Sequence, residues 1–154
     1  MIRIVWGTGA ADTAKASFDS ALAAANVHQY NLRTLSSVIP ADVPLEVVNT
    51  APELGPTGDA LDVVMARETS PPGTPATAGL AWTRTDDGSG IFYEVEDPDR
   101  QKVRERLQLG IEHGCEIRDI EPDIETKIVD VGSKAGQYVT AVVLAVYGES
   151  ESLV

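Results

Sequence analysis

Apolar and polar positions along the chain change period several times, and each change marks an element. The run Ile2–Trp6, "IRIVW", reads as a short buried strand. The stretch "GTGAADTAKASFDSALAAAN" follows as a turn and then a helix from about Asp12 to Asn26, because Ala14, Phe18, Ala21, Leu22 and Ala25 fall on one helical face. Val27, Tyr30 and Leu32 return the chain to an extended form over residues 27–37. Pro40, Pro44, Pro52, Pro56, Gly55 and Gly58 make residues 40–60 a long, rigid connection, interrupted by the apolar "LEVV". Leu61–Glu68 is a strand, and "TSPPGTPAT" is a loop. "AGLAWTRT" and "IFYEVE" flank "DDGSG", a hairpin signal with Asp-Gly at its centre. A second helix spans Asp97–Gly114, with Asp97 as N-cap, Pro98 in its first turn and Gly114 as its stop. Two final strands lie within residues 115–132 and 137–148.

This order mixes helices and strands without strict alternation, which predicts an α+β fold: a largely antiparallel sheet system with two helices packed outside. There is no internal repeat, and 154 residues fit one domain, 1–154, with a sizeable core. Cys115 is the one cysteine, so no intrachain disulfide can form. His28 and His113 stand in no ligand pattern, and no metal site is expected. No targeting signal is read at the N-terminus. The most apolar stretch, Tyr138–Gly148, is about half the length of a membrane span. A soluble, cytoplasmic protein without membrane contact is expected.

Charge narrows the picture further. The chain carries 24 acidic and 12 basic residues, for a net charge of −12, and only four of the basic ones are Lys. That balance argues against a nucleic-acid partner, whose phosphates need a basic footprint. The acids are dispersed, which suggests a halophilic protein kept soluble in high salt, where screening relieves self-repulsion.

Two motifs invite a chemical reading. Gly7-Thr8-Gly9 lies where a phosphate loop would sit, but it lacks the third glycine of a dinucleotide fingerprint and the Lys-Ser/Thr of a P-loop; a tight strand-to-helix turn accounts for it. The pair Ser36-Ser37 stands between Leu35 and Val38, where a strand runs out. A polar strand end is one reading of it. The other is backbone chemistry: a serine hydroxyl attacks the preceding carbonyl, the resulting ester is cut by β-elimination, and the dehydroalanine left behind hydrolyses to a pyruvoyl group.

The segment "FDSALAAANVHQYNLRTLSSVIP" resembles the processing region of the pyruvoyl-dependent arginine decarboxylases. The likeness rests on Phe18-Asp19 in the first helix, Asn31 six residues before Ser37, and the Ser-Ser-x-x-Pro ending. "GIFYEVE" resembles that family's strand bearing its catalytic glutamate, and the element order matches over nearly the whole chain. The resemblance implies a four-layer αββα sandwich and self-cleavage between Ser36 and Ser37 into residues 1–36 (β chain) and 37–154 (α chain). It implies a covalent pyruvoyl cofactor derived from Ser37, and conversion of L-arginine to agmatine and carbon dioxide, feeding polyamine synthesis. Asn31 would assist processing by stabilising an oxyanion. Asp19 would bind the substrate guanidinium, and Glu94 would be the proton donor. The processed units would form a homotrimer with sites between subunits, and trimers could pair into hexamers. Lys15 departs from the family pattern, which has an apolar residue near the substrate; a cation there opposes a cationic substrate. Decarboxylation of another amino acid such as histidine, or an unprocessed binding or structural homologue, stays open.

The residues themselves add constraints. Alternation puts Phe92, Glu94 and Glu96 on one strand face and Ile91, Tyr93 and Val95 on the other, so the local pattern does not bury Glu94. Asp19 follows the core residue Phe18 and lies beside the buried helix face. A straight strand over residues 31–37 would hold Asn31 roughly 20 Å from Ser37. Either the chain bends or a neighbouring subunit is involved.

Overall fold

A computed structural model describes residues 1–154. The chain runs β1 (Ile2–Ala11), α1 (Ala14–Ala24), β2 (Asn31–Thr34), β3 (Val38–Ile39), β4 (Leu45–Asn49), β5 (Ala60–Ser70), β6 (Ala76–Arg84), β7 (Gly90–Asp97), α2 (Arg100–Glu116), β8 (Glu125–Val131) and β9 (Tyr138–Tyr147). One sheet has the order β2-β5-β9-β1-β4 and the other β3-β7-β6-β8. Pairing is antiparallel except at β1–β4 and β2–β5, the two edges of the larger sheet.

Three apolar layers make this a four-layer αββα sandwich. Val5, Ala21, Leu22, Val63, Val142 and Leu144 fill the space between α1 and the larger sheet. Ile4, Leu80, Trp82, Phe92, Val143 and Ala145 fill the space between the sheets. Ala81, Ile91, Val103, Leu107 and Ile111 join the smaller sheet to α2. Strands β6 and β9 are covered on both faces, which is why they read as nearly continuous apolar runs. The β6–β7 hairpin predicted around Asp-Gly is present, with Thr83 opposite Ile91. No helix is long and apolar enough to cross a membrane.

The structure corrects several local expectations. Gly7-Thr8-Gly9 is not a turn, because β1 continues to Ala11. The two glycines lie under α1: a Cβ on Gly7 would stand 2.2 Å from the Ala21 carbonyl oxygen, and one on Gly9 would stand 2.5 Å from that of Ser17. They let helix and strand backbones approach closely. α1 begins later than Asp12, capped by Thr13, whose Oγ1 accepts the Ala16 N–H. Its buried face includes Ser17 in place of the exposed Ala14. The Ser17 hydroxyl bonds to Thr140 of β9 at 2.6 Å, and Thr140 also bonds to Thr69.

α2 is capped by Asp99, whose Oδ1 accepts the Gln101 N–H. Asp97 instead closes β7 and pairs with Arg106 at 3.0 Å. Gly114 is inside α2, which runs to Glu116. Residues 27–37 are not one extended stretch, since regular pairing covers only Asn31–Thr34 before the sheet changes at Val38.

Candidate active site

β2 is an edge of the larger sheet and β3 an edge of the smaller one, so Leu35, Ser36 and Ser37 carry the chain from one sheet to the other. The bend this crossing needs is taken up at Ser37, whose φ of 68° is left-handed. A non-glycine residue held there costs on the order of 1–2 kcal/mol. Three bonds over-determine it. Its carbonyl accepts the Phe92 N–H at 2.8 Å. Its hydroxyl donates to both carboxylate oxygens of Glu94, at 2.8 and 2.9 Å. Beyond it, the Val38 carbonyl accepts the Tyr147 hydroxyl at 2.7 Å.

Glu94 reaches Ser37 because of the alternation along β7. Phe92 packs in the inter-sheet core, while Ile91 and Val95 pack toward α2, so Glu94 lies on the inter-sheet face, half-buried near the open edge. Phe92 stacks edge-on against both Trp82 and Tyr147, at centroid distances of 6.3 and 6.2 Å. Beside Glu94, burial together with the Glu68 and Glu94 carboxylates holds Glu96 above the usual carboxylate range, against the opposing pull of Arg67. Burial, followed by the Asp97 charge, raises Glu68 in the same way. Burial and then the charge of Glu94 push the Tyr147 phenol up to about 12.

A cleft of about 410 Å³ opens over Ser37, with Ser36, Tyr93, Glu94, His113 and Arg118 in its wall. Helix α2 comes this close because Tyr93 lies flat over Gly110, where a Cβ would stand 2.0 Å from the ring. A larger cavity of about 860 Å³, between α2 and β8, contains none of the predicted site residues.

Of the predicted residues, the structure joins Ser36, Ser37 and Glu94. It does not bring Asn31 or Asp19 to them within one protomer. The Asn31 side chain donates to the Gly58 carbonyl at 2.8 Å, and its backbone N–H donates to that of Asp59. Asp19 is exposed on α1, in the wall of a separate cavity of about 490 Å³ shared with Lys15 and Phe18. The Arg67 guanidinium lies over the Phe18 ring at 4.3 Å. Sequence reasoning missed Tyr147, His113 and Arg118. His113 and Arg118 carried no local signal, and Tyr147 read only as the end of an apolar strand.

The sequence pattern of the family described as pyruvoyl-dependent arginine decarboxylase (PvlArgDC) matches residues 1–152. Two curated relatives, each called pyruvoyl-dependent arginine decarboxylase, come from strains R1 and NRC-1 of Halobacterium salinarum. Each is 49% identical over 157 residues, covering 97% of this chain and 95% of its own.

Proposed function

The chain belongs to the pyruvoyl-dependent arginine decarboxylase family, and from that premise we propose that it cuts itself between Ser36 and Ser37 and converts L-arginine to agmatine and carbon dioxide. The observation that carries this reading is the bond from the Ser37 hydroxyl to Glu94, made at a residue held in a left-handed backbone. Glu94 accepts the hydroxyl proton as Ser37 Oγ attacks the Ser36 carbonyl carbon. The peptide bond becomes an ester and the Ser37 nitrogen is freed. Loss of the Ser37 α-proton breaks the Cβ–Oγ bond, leaving a carboxylate on Ser36 and dehydroalanine at 37. Addition of water and release of ammonia complete the pyruvoyl group.

That group supplies a carbonyl that takes the substrate amine and withdraws the electron pair left when carbon dioxide departs. Glu94, which the uncut chain already places beside residue 37, then delivers a proton to the substrate α-carbon. Asp19 recognises the guanidinium, whose planar fork suits a carboxylate. Asn31 supplies an oxyanion donor during processing.

Asp19 and Asn31 reach this chemistry from a neighbouring protomer of a homotrimer. The surface around the cleft supports that reading: Leu35, Val38 and Ile117 keep 38, 55 and 66% of their surface exposed, an apolar rim suited to an interface. Hexamers of paired trimers, a role for agmatine in polyamine synthesis, residence in the cytoplasm and adaptation to high salt belong to the same reading. The salt adaptation is supported by the charge of −12 and by relatives from Halobacterium salinarum.

Lys15 shares the Asp19 cavity and favours, as a second reading, a less cationic amino acid as substrate.

An intact mass spectrum under denaturing conditions tests the proposal. Two species, residues 1–36 and a pyruvoyl-headed 37–154, are expected. A single mass for 154 residues that persists in high salt would leave an unprocessed homologue as the better reading. Dilution to monomers should abolish turnover, and active monomers would contradict a shared site.

A further inference from the structure

The backbone carbonyls of Ser37 and Val38 each accept a hydrogen bond from a donor on another strand. The Phe92 N–H serves the Ser37 oxygen at 2.8 Å, and the Tyr147 hydroxyl serves the Val38 oxygen at 2.7 Å. The donors come from opposite sheets, since Phe92 is in β7 and Tyr147 ends β9, a strand paired on both sides. Their rings pack edge to face. We propose that Tyr147 is a positioning residue that, together with the Phe92 backbone N–H, clamps residue 37 after the chain is cut. This rests on the reading that cleavage falls between Ser36 and Ser37.

The need for a clamp follows from the local structure. In the uncut chain residue 37 is tethered from both sides. Cleavage removes the link to Ser36 and turns residues 37–39 into a chain end, the part of a protein that frays most easily. Strand β3 has only two residues, paired with Ile91 and Gly90. Ile39 is buried, but Val38 is more than half exposed and gives its segment little apolar anchoring. Beyond that short pairing and the burial of Ile39, residues 37 and 38 are held by the two bonds to their own carbonyls.

Packing does not explain the Tyr147 hydroxyl. Its ring faces the inter-sheet layer with Val139, Ala141, Val143 and Ala145, where phenylalanine would fill the same space. Val38 lies on an exposed edge, where water could serve its carbonyl as well. With the phenol pushed up to about 12, the hydroxyl stays a donor through neutral and mildly alkaline solution.

Tyr147→Phe removes this one bond. Its mass spectrum should still show residues 1–36 and 37–154, because the cut precedes the clamp's role. Once cleaved, it should lose roughly tenfold or more in kcat with KM within about twofold, as expected when a reacting group is held less well. Phe92 amide exchange should quicken in cleaved Tyr147→Phe, but not when Tyr147→Phe is combined with the uncleavable Ser37→Ala, where the chain tether persists. Unchanged kcat overturns the clamp, as does a change confined to KM. Equal quickening of exchange in cleaved and uncleavable forms also overturns it, because a general structural role predicts that result. If Tyr147→Phe does not cleave or fold, wild-type protein decides. Phe92 must be as protected in the cleaved enzyme as in Ser37→Ala, and faster exchange after cleavage overturns the proposal. A wild-type chain of single mass that persists in high salt removes the decarboxylase reading and the clamp together; two correct masses with unchanged kcat in Tyr147→Phe remove the clamp alone.

Discussion

Ser37 and Glu94, 57 residues apart in the chain, meet through one hydroxyl that donates to both carboxylate oxygens. Glu94→Gln keeps an acceptor but not a base or a proton donor. Self-cleavage, followed by mass spectrometry, should slow. Turnover of whatever enzyme is cleaved should fall at least about a hundredfold, the usual contribution of a positioned acid or base. Cleaved Glu94→Gln with wild-type kcat would deny Glu94 the proton-transfer role.

Asp19 is exposed on α1 and absent from the Ser37 cleft of its own protomer. Asp19→Asn should leave cleavage intact and raise KM for arginine by roughly 10- to 100-fold, the loss of a charge-assisted pair worth about 1.5–3 kcal/mol. An unchanged KM for arginine would shift weight to a substrate without a guanidinium.

Gly9 faces Ser17 so closely that an added Cβ would stand 2.5 Å from one backbone atom of α1 and 2.6 Å from another. Backbone cannot step aside as a flexible side chain can. Gly9→Ala should cost about 2 kcal/mol, in the range for overpacked cores. For a chain of this size that lowers the melting temperature by roughly 4–8 °C. Calorimetry showing no change would mean that α1 does not sit on β1 as described.

Glu96 is held above the usual carboxylate range by burial and then by the Glu68 and Glu94 charges. A carboxyl raised in the folded state contributes stability that is present below its ordinary value of 4.5 and lost as pH rises through the shifted one. Between pH 4.5 and neutrality, the wild-type melting temperature should therefore fall more steeply with pH than that of Glu96→Gln. Parallel curves would show that Glu96 titrates alike folded and unfolded. The comparison with the variant separates this local effect from the repulsion of the whole −12 charge.

That overall repulsion has its own test. Salt screens charges over about 10 Å at 0.1 M and about 3 Å at 1 M. The melting temperature should climb with KCl into the molar range. A flat response would remove the high-salt reading.

Short-range pattern was enough for much of the architecture. The hairpin at Asp86-Asp87-Gly88 and the apolar run of the last strand were legible because period and turn residues act over a few neighbours. So was the grouping of Phe92 with Glu94 on one face of β7, but not that this face looks into the inter-sheet layer. The Ser36-Ser37 pair by itself reads more simply as a polar strand end, and it marks the site only through the family resemblance. Other features depended on partners far along the chain. Gly7 and Gly9 looked like a turn, because only the arrival of α1 shows that the strand must stay bare there. Ser17 turned inward because Thr140, 123 residues away, offers its hydroxyl a buried partner. The meeting of Ser37 with Glu94, and of Val38 with Tyr147, arises where the chain crosses between two sheets. The sequence by itself determined which residues could pair and at what period; the stacking of the two sheets decided which did. Backbone preference is local, whereas contact across layers is set by how separate elements fill the same space.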